Sequence, residues 1–341
     1  MRASDRTPIA LIVDDSAPGV HVYQCHCRDV HHRTHTSDGR PLLEFIPNSL
    51  LEQFGDVVER RGLAGKFSIV PNPGGRGNIP DEIDGVPPEQ ARAWLDIARE
   101  RLGPHFDFCP EMITHNLTLD LATGTFLPLS EHDWSQTQNR STLTPYIAHA
   151  LGILKRAGID ATGVTSPWHF AADVVEEYEA SIAAAQEQVY GRKYSWYFCH
   201  TRVLEEGARA WVALDDGDTV LVSVPGTTHD AFWQTIDTPR DDDAFVSEVA
   251  GQLLTQDGRD GEIRQMLDGG GWPILVTHWQ SMFSNGLGTG LRALDELGRR
   301  VQEHLGDEVV WCSFADLCER LTGRPMESPA RARPSRSAGG R

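Results

Sequence analysis

Long apolar runs are missing from this chain of 341 residues. None approaches the roughly 20 apolar residues needed to span a bilayer. The first apolar stretch, Ile9 to Val13, is too short for a secretory signal and runs straight into two aspartates. A cytoplasmic location is the expectation. Cysteine is also scarce. Six residues (Cys25, Cys27, Cys109, Cys199, Cys312 and Cys318) are too sparse for a disulfide framework, so reduced thiols are expected. Basic residues are outnumbered: 31 Lys and Arg face 49 Asp and Glu, for a net charge of −18. Five arginines sit in the last twenty residues against a single Glu, so the body before them is more acidic still. Such a surface repels phosphate backbones and anionic lipid, which argues against nucleic acid and membrane as partners.

What is present is an ordinary globular composition, with 40% apolar and 23% charged residues. One phrase recurs: amphipathic helix, glycine, short apolar strand. Leu50, Leu51, Phe54, Val57 and Val58 fall at helical spacing behind Asn48 or Ser49 as cap. Gly62 stops that helix, because a left-handed C-terminal residue costs glycine least. Residues 66–70 then read as a strand. The same phrase predicts helices over 87–102, 145–157, 171–190 and from Leu291 to Leu305, each closed by glycine. Strands follow at 105–109, 161–165, 196–200 and 309–312. With Ile9–Val13, Thr219–Val224 and Ile274–Thr277 there are about eight strand candidates. Strands separated by helices pair in parallel, because a parallel connection needs a long crossover. The predicted fold class is α/β, a distorted (β/α) barrel of parallel strands, with a doubly wound sheet as the alternative. Residues 1–321 are expected to form one domain. Residues 322–341, rich in Pro, Arg, Ser and Ala, are expected to form a disordered basic tail.

In parallel α/β folds the active site lies at the carboxyl ends of the strands. There the sequence places Asp14 and Asp15, then His115, then Ser166, Pro167 and Trp168, then His200, and last His278 with Trp279 and Gln280. Two carboxylates and three imidazoles on one rim are costly to hold unpaired. A divalent cation neutralises the first and takes the second as neutral ligands. Asp14 and Asp15 are adjacent, so both reach one site only if the chain turns; Pro18-Gly19 offers a turn. The blander reading, one Asp capping a helix, is weaker at a strand end. Glu111 and His115 share a face if their segment is extended, and Pro110 within it suggests a bulge or an edge. His278 ends an apolar strand and begins a polar loop. His200 reads equally well as a packed strand end.

Two other patterns carry less. His21, Cys25, His26, Cys27, His31, His32 and His35 are zinc-type ligands, but Cys25-x-Cys27 lacks the usual spacing. A solvated loop near the rim is the preferred reading. Gly286-Leu-Gly288-Thr-Gly290 has its third glycine one position early for a dinucleotide fingerprint. It reads as a tight loop opening a helix.

Taken in order, these segments resemble the motifs of the polysaccharide deacetylase superfamily. ALIVDDS resembles its first motif, an apolar strand ending in paired Asp. GKFSIVP resembles its second strand, and PEMITHNLTLD its histidine motif. GVTSPWHF stands where the family has Arg-Pro-Pro-Tyr, and ILVTHWQ resembles its last motif. The ordered set covers about residues 8–320. The resemblance implies a distorted (β/α)7 barrel and a metal-dependent hydrolase cleaving an N-acyl (amide) bond of a carbohydrate or related small molecule. It implies Asp14 as general base, Asp15 and His115 as ligands of a divalent metal, zinc by expectation, and His278 as general acid or its orienting partner. The family's second ligand histidine falls on Leu119 here, so Glu111, Asp120, His200 or a histidine of the 21–35 loop is expected to substitute. Thr165-Ser166 stand where its third-motif arginine would be. Trp168, Trp279 and Trp134 are candidate stacking surfaces for a sugar. Two further functions stay open. One is a glycoside hydrolase, given the carboxylates Asp14, Glu111, Asp120 and Asp230. The other is a sugar-binding homologue without catalysis, given Leu119.

Overall fold

The computed structural model describes residues 6–21, 43–236 and 238–328. It is a mixed α/β fold with parallel sheets at its centre and ten α-helices among the described residues. The eight expected strands are present, with ends shifted by at most three residues. In chain order they are β1 (Thr7–Ser16), β2 (Gly65–Ile69), β3 (Phe106–Pro110), β4 (Gly163–Thr165), β5 (Tyr194–Phe198), β6 (Val220–Ser223), β7 (Ile274–His278) and β8 (Val309–Trp311).

Their pairing is parallel throughout. β7, β1, β2 and β3 form one ladder, and β8 pairs with the start of β1. β4, β5 and β6 form another, edged by the antiparallel strand Trp211–Asp215. Isolated parallel bridges, Phe108 to Ala161 and Glu111 to Thr165, link β3 to β4. On the far side the Thr227 N–H donates to the Ile274 carbonyl at 2.9 Å, tying the chain beyond β6 to β7. β1 is buried almost end to end, as a strand covered on both faces must be. Gly65 allows the closest approach: a Cβ there would stand 1.8 Å from the Leu11 carbonyl oxygen.

The helices pack their apolar stripes outside these ladders. In α1 (Asn48–Arg61), Leu50, Leu51, Phe54, Val57 and Val58 are all buried, and Gly62 ends the helix at φ +66°. The expected side-chain cap is not made, because the helix begins at Asn48 itself and Pro47 holds the N-cap position. A second helix, α2 (Arg140–Arg156), begins five residues earlier than expected. Asn139 and Thr142 form a capping box there, which places Pro145 inside the helix rather than at its start.

The C-terminal segment is described as far as Ser328. Beyond the helix Phe314–Thr322, residues 323–328 are mostly exposed, but Met326 and Ser328 anchor the segment. Met326 is 2% exposed among Trp196, Phe314 and their neighbours, and the Ser328 hydroxyl donates to the buried Asp107 carboxylate. An apolar residue that finds a core outweighs the polar composition around it. The remainder of the expected tail, 329–341, lies outside the described residues. Cys109, Cys199, Cys312 and Cys318 are free and buried. Among the described residues no helix is long and apolar enough to cross a membrane.

Candidate functional site

β1 delivers Asp14 and Asp15. Its register against β2 shifts between Val13 and Ser16, and Asp15 adopts φ +63°. Asp15 itself therefore makes the turn that lets both side chains line one cavity; Pro18-Gly19 is not needed for it. Aspartate tolerates this left-handed conformation better than most residues. Both lie within β1, and no helix begins in residues 16–21, so neither Asp is a cap.

Glu111 and His115 reach the same cavity by a different route from the one expected. β3 ends at Pro110, and beyond it Met112 and His115 have φ of +48° and +55°. The segment is a loop, not an extended strand face. Glu131 holds it. Its Oε1 accepts the N–H groups of Ile113 and Thr114, both at 3.0 Å, and its Oε2 accepts that of His115 at 2.8 Å. The Tyr146 hydroxyl donates to Oε1 at 2.7 Å. Burial pushes the Glu131 carboxyl up to about 7, against the lowering effect of these donors.

Three ligand-type side chains meet here. His115 Nε2 lies 2.9 Å from Asp15 Oδ1 and 3.4 Å from Glu111 Oε1. One ligand atom from each of Asp15, Glu111 and His115 lies within 4.8 Å of the others, and all three residues are buried. The Asp15 N–H donates to Glu111 Oε2 at 2.7 Å, and Gln280 Nε2 donates to Asp15 Oδ2 at 2.8 Å. Asp15 Oδ1 thus faces the His115 imidazole nitrogen as its partner.

Beside the trio, β2 places Lys66 and Ser68 on its interior face and Phe67 and Ile69 in the main hydrophobic core. The Lys66 ammonium pairs with Asp14 Oδ1 and donates to Thr165 Oγ1 at 2.7 Å. Ser68 Oγ bridges, 2.5 Å from Glu111 Oε2 and 3.1 Å from Asp14 Oδ1. At the end of β7, His278 Nδ1 lies 2.7 Å from Asp230 Oδ2.

The electrostatics follow from this crowding. Burial raises the Asp14 carboxyl to about 6, with Lys66 opposing. Burial would raise Asp15 as well, but His115, His278 and the Gln280 hydrogen bond hold it well below the ordinary carboxylate range. Burial would lower His115, yet Asp15 and Glu111 hold it well above its usual value. His278 stands at about 9: burial lowers it, while the Asp230 hydrogen bond and the charges of Asp15, Asp230 and Asp14 outweigh that.

Of the residues the sequence singled out, Asp14, Asp15, Glu111, His115, Trp168 and His278 share one cavity of about 200 Å³. Others fall elsewhere. Asp120 sits on the hairpin Leu117–Ser130, bonded to the Ala122 N–H and the Thr123 hydroxyl in an exposed turn. His200 stands outside the cavity lining, its ring stacked on Trp211 at 5.6 Å. Trp279 is wholly buried, its ring against Phe54 and Phe67, so it offers no surface to a sugar. Trp134 lines a separate groove with Tyr146. The side chains of the 21–35 cluster lie outside the described residues. Sequence reasoning missed Lys66, Ser68, Glu131 and Trp233. The one signal for them was a lysine inside the apolar strand GKFSIV.

No family model matches the chain, and no curated protein matches it in sequence. Among solved structures it is similar to one described as a "putative polysaccharide deacetylase" from Mycobacterium smegmatis. That likeness has 16% identity and a TM-score of 0.43, and it covers 84% of this chain and 81% of that one. It is also similar to a 4-alpha-glucanotransferase from Thermococcus litoralis. There the identity is 13% and the TM-score 0.40, over 79% of this chain and 36% of that one.

Proposed function

We propose that this chain is a metal-dependent hydrolase that cleaves an N-acyl (amide) bond of a carbohydrate or related small molecule. In this reading β1 to β7 make a distorted (β/α)7 barrel with the cavity at the carboxyl ends of its strands. The observation that carries the function is the meeting of Asp15, Glu111 and His115 beside Asp14 and His278. Two carboxylates and an imidazole, all buried and with ligand atoms within 4.8 Å of one another, suit a divalent ion. Zinc is the ion we propose. Glu111 then fills the ligand place for which Leu119 is unfit.

Asp15, Glu111 and His115 would hold the ion, which would supply a water of lowered pKa and polarise a substrate carbonyl. Asp14 takes the proton of the attacking water, with Lys66 and Ser68 fixing its Oδ1. His278 protonates the leaving nitrogen. Asp230, bonded to Nδ1, fixes the ring and leaves Nε2 as the atom that gives the proton. Lys66 also brings a buried cation to a site that lacks the family's third-motif arginine.

The glycoside-hydrolase alternative has less support. Asp120 lies on the exposed hairpin turn, Asp230 is engaged by His278, and Glu111 belongs to the ligand trio. The test is release of acetate or another acid from N-acylated sugars. Dialysis against chelator should abolish it, and zinc should restore it. Release of reducing sugar that survives chelation would replace this reading with the glycosidic one.

A further inference from the structure

Two tryptophans flank the cavity, each beside a residue of the proposed chemistry. The Trp168 ring meets His115 edge-on at 4.6 Å, and the Trp233 ring meets His278 edge-on at 4.8 Å. Trp168 is 45% exposed, an unusual position for so large an apolar ring. Its backbone is held in the left-handed region at φ +47°, as are those of His169 and Ala171. Such conformations persist only where the surroundings fix them, and they concentrate at ligand clamps.

The surroundings of Trp168 do fix it. The Ser166 N–H donates to the Phe198 carbonyl at 2.9 Å, and Gln136 Nε2 to the His169 carbonyl at 3.1 Å. His169 Nδ1 lies 3.1 Å from the Cys199 carbonyl oxygen, and the Ala171 N–H donates to Ser135 Oγ at 2.8 Å. Trp233 is set by Asp230. Oδ1 of that carboxylate accepts the N–H groups of Phe232 and Trp233 at 2.9 and 3.1 Å, while Oδ2 meets His278. One side chain thus places both an aromatic wall and the imidazole beside it.

The cavity that both rings help to line is small. About 200 Å³ falls below the roughly 300–1,000 Å³ of pockets that enclose drug-sized ligands. We propose that Trp168 and Trp233 are the rigid lips of a cup that admits one ring. The substrate class is then a single N-acylated sugar or similar ring, free or at a chain end, not the interior of a polymer. The acyl group in this statement rests on the hydrolase reading; the one-ring cup rests on the walls.

The test compares N-acetylglucosamine with its β-1,4-linked triacetylated trimer. Binding is followed by ligand-observed NMR on the zinc-supplemented full chain, carrying Asp14→Asn so that bound ligand is not consumed. Both ligands should bind saturably, with the trimer within about threefold of the monosaccharide. Trp168→Ala should weaken both about tenfold, and Trp168→Phe should restore most of that loss. Affinity climbing about tenfold with the added rings would overturn the cup. So would unchanged binding in Trp168→Ala, or no saturable binding of either ligand. A wild-type chain that binds as described but releases no acetate with any divalent metal would sink the hydrolase reading and leave the cup. Efficient acetate release with a strong preference for longer chains would do the reverse.

Discussion

Lys66 and Asp14 form a buried ion pair between the first two strands, the ammonium with no exposure and the carboxylate with 5%. Removing one partner of such a pair strands the other charge and costs about 3–5 kcal/mol, whereas replacing both is far milder. Lys66→Met alone should therefore lose about that much stability. The double substitution Lys66→Met with Asp14→Asn should recover much of it. Denaturant unfolding of the four proteins measures the coupling. Single losses that simply add would deny the pair any energetic meaning.

Glu131 touches no ligand atom, yet it accepts three consecutive backbone N–H groups around His115. Each donor left buried without an acceptor costs about 1–3 kcal/mol. Glu131→Ala should lower the melting temperature and loosen the loop. Zinc affinity, measured by competition with a chromophoric chelator, should fall at least about tenfold. An unchanged affinity would show that the loop holds His115 by other means.

Asp230 should act on turnover and not on metal content. Asp230→Asn removes the anion that orients and charges His278. Loss of general-acid function is typically worth about 10²–10⁴ in rate. The expected result is a fall in kcat towards that range with zinc content intact. Loss of zinc in this variant would place Asp230 in the metal centre instead.

Asp107 makes a pH-dependent contribution at the opposite end of β3. Burial raises its carboxyl above 3.8, outweighing the hydrogen bonds from Ser328, the Ala315 N–H and Ser313. A raised native value means that the folded chain keeps the proton longer. This contribution to stability is complete below pH 3.8 and is lost as pH rises through the native value. Relative to wild type, Asp107→Asn should therefore grow more stable as pH rises from 4 towards 7. Parallel stability curves for the two proteins would rule this out.

The strands were legible because each is an apolar run that stops abruptly at a polar residue, and β1 and β7 stop at residues of the site itself. His278 followed from that pattern. The left-handed turn at Asp15 and the loop carrying His115 were not legible, because neither positive φ involves glycine. Lys66 escaped for a related reason: a lone lysine ordinarily reads as solvated, and burial of its charge depends on Asp14, which is remote in sequence.

Trp279 was misplaced through its neighbour. A helical turn, Trp279–Phe283, starts immediately after His278 and sends the indole into the core against Phe54 while Gln280 returns to Asp15. Asp120 was misplaced because Leu117–Ser130 folds back as a hairpin and carries it to an exposed turn. In both cases the local turn, and not the position along the chain, decides where the side chain goes.

The central claim is that Asp15, Glu111 and His115 hold a divalent ion while Asp14 stands beside it as the base. Metal content tests it most directly, in protein saturated with zinc and then dialysed free of excess. A neutral amide is a poorer ligand than a carboxylate. Wild type and Asp14→Asn should each retain about one zinc per chain. Asp15→Asn, Glu111→Gln and His115→Ala should retain far less. No bound metal in wild type, or equal content in all five proteins, would contradict the account.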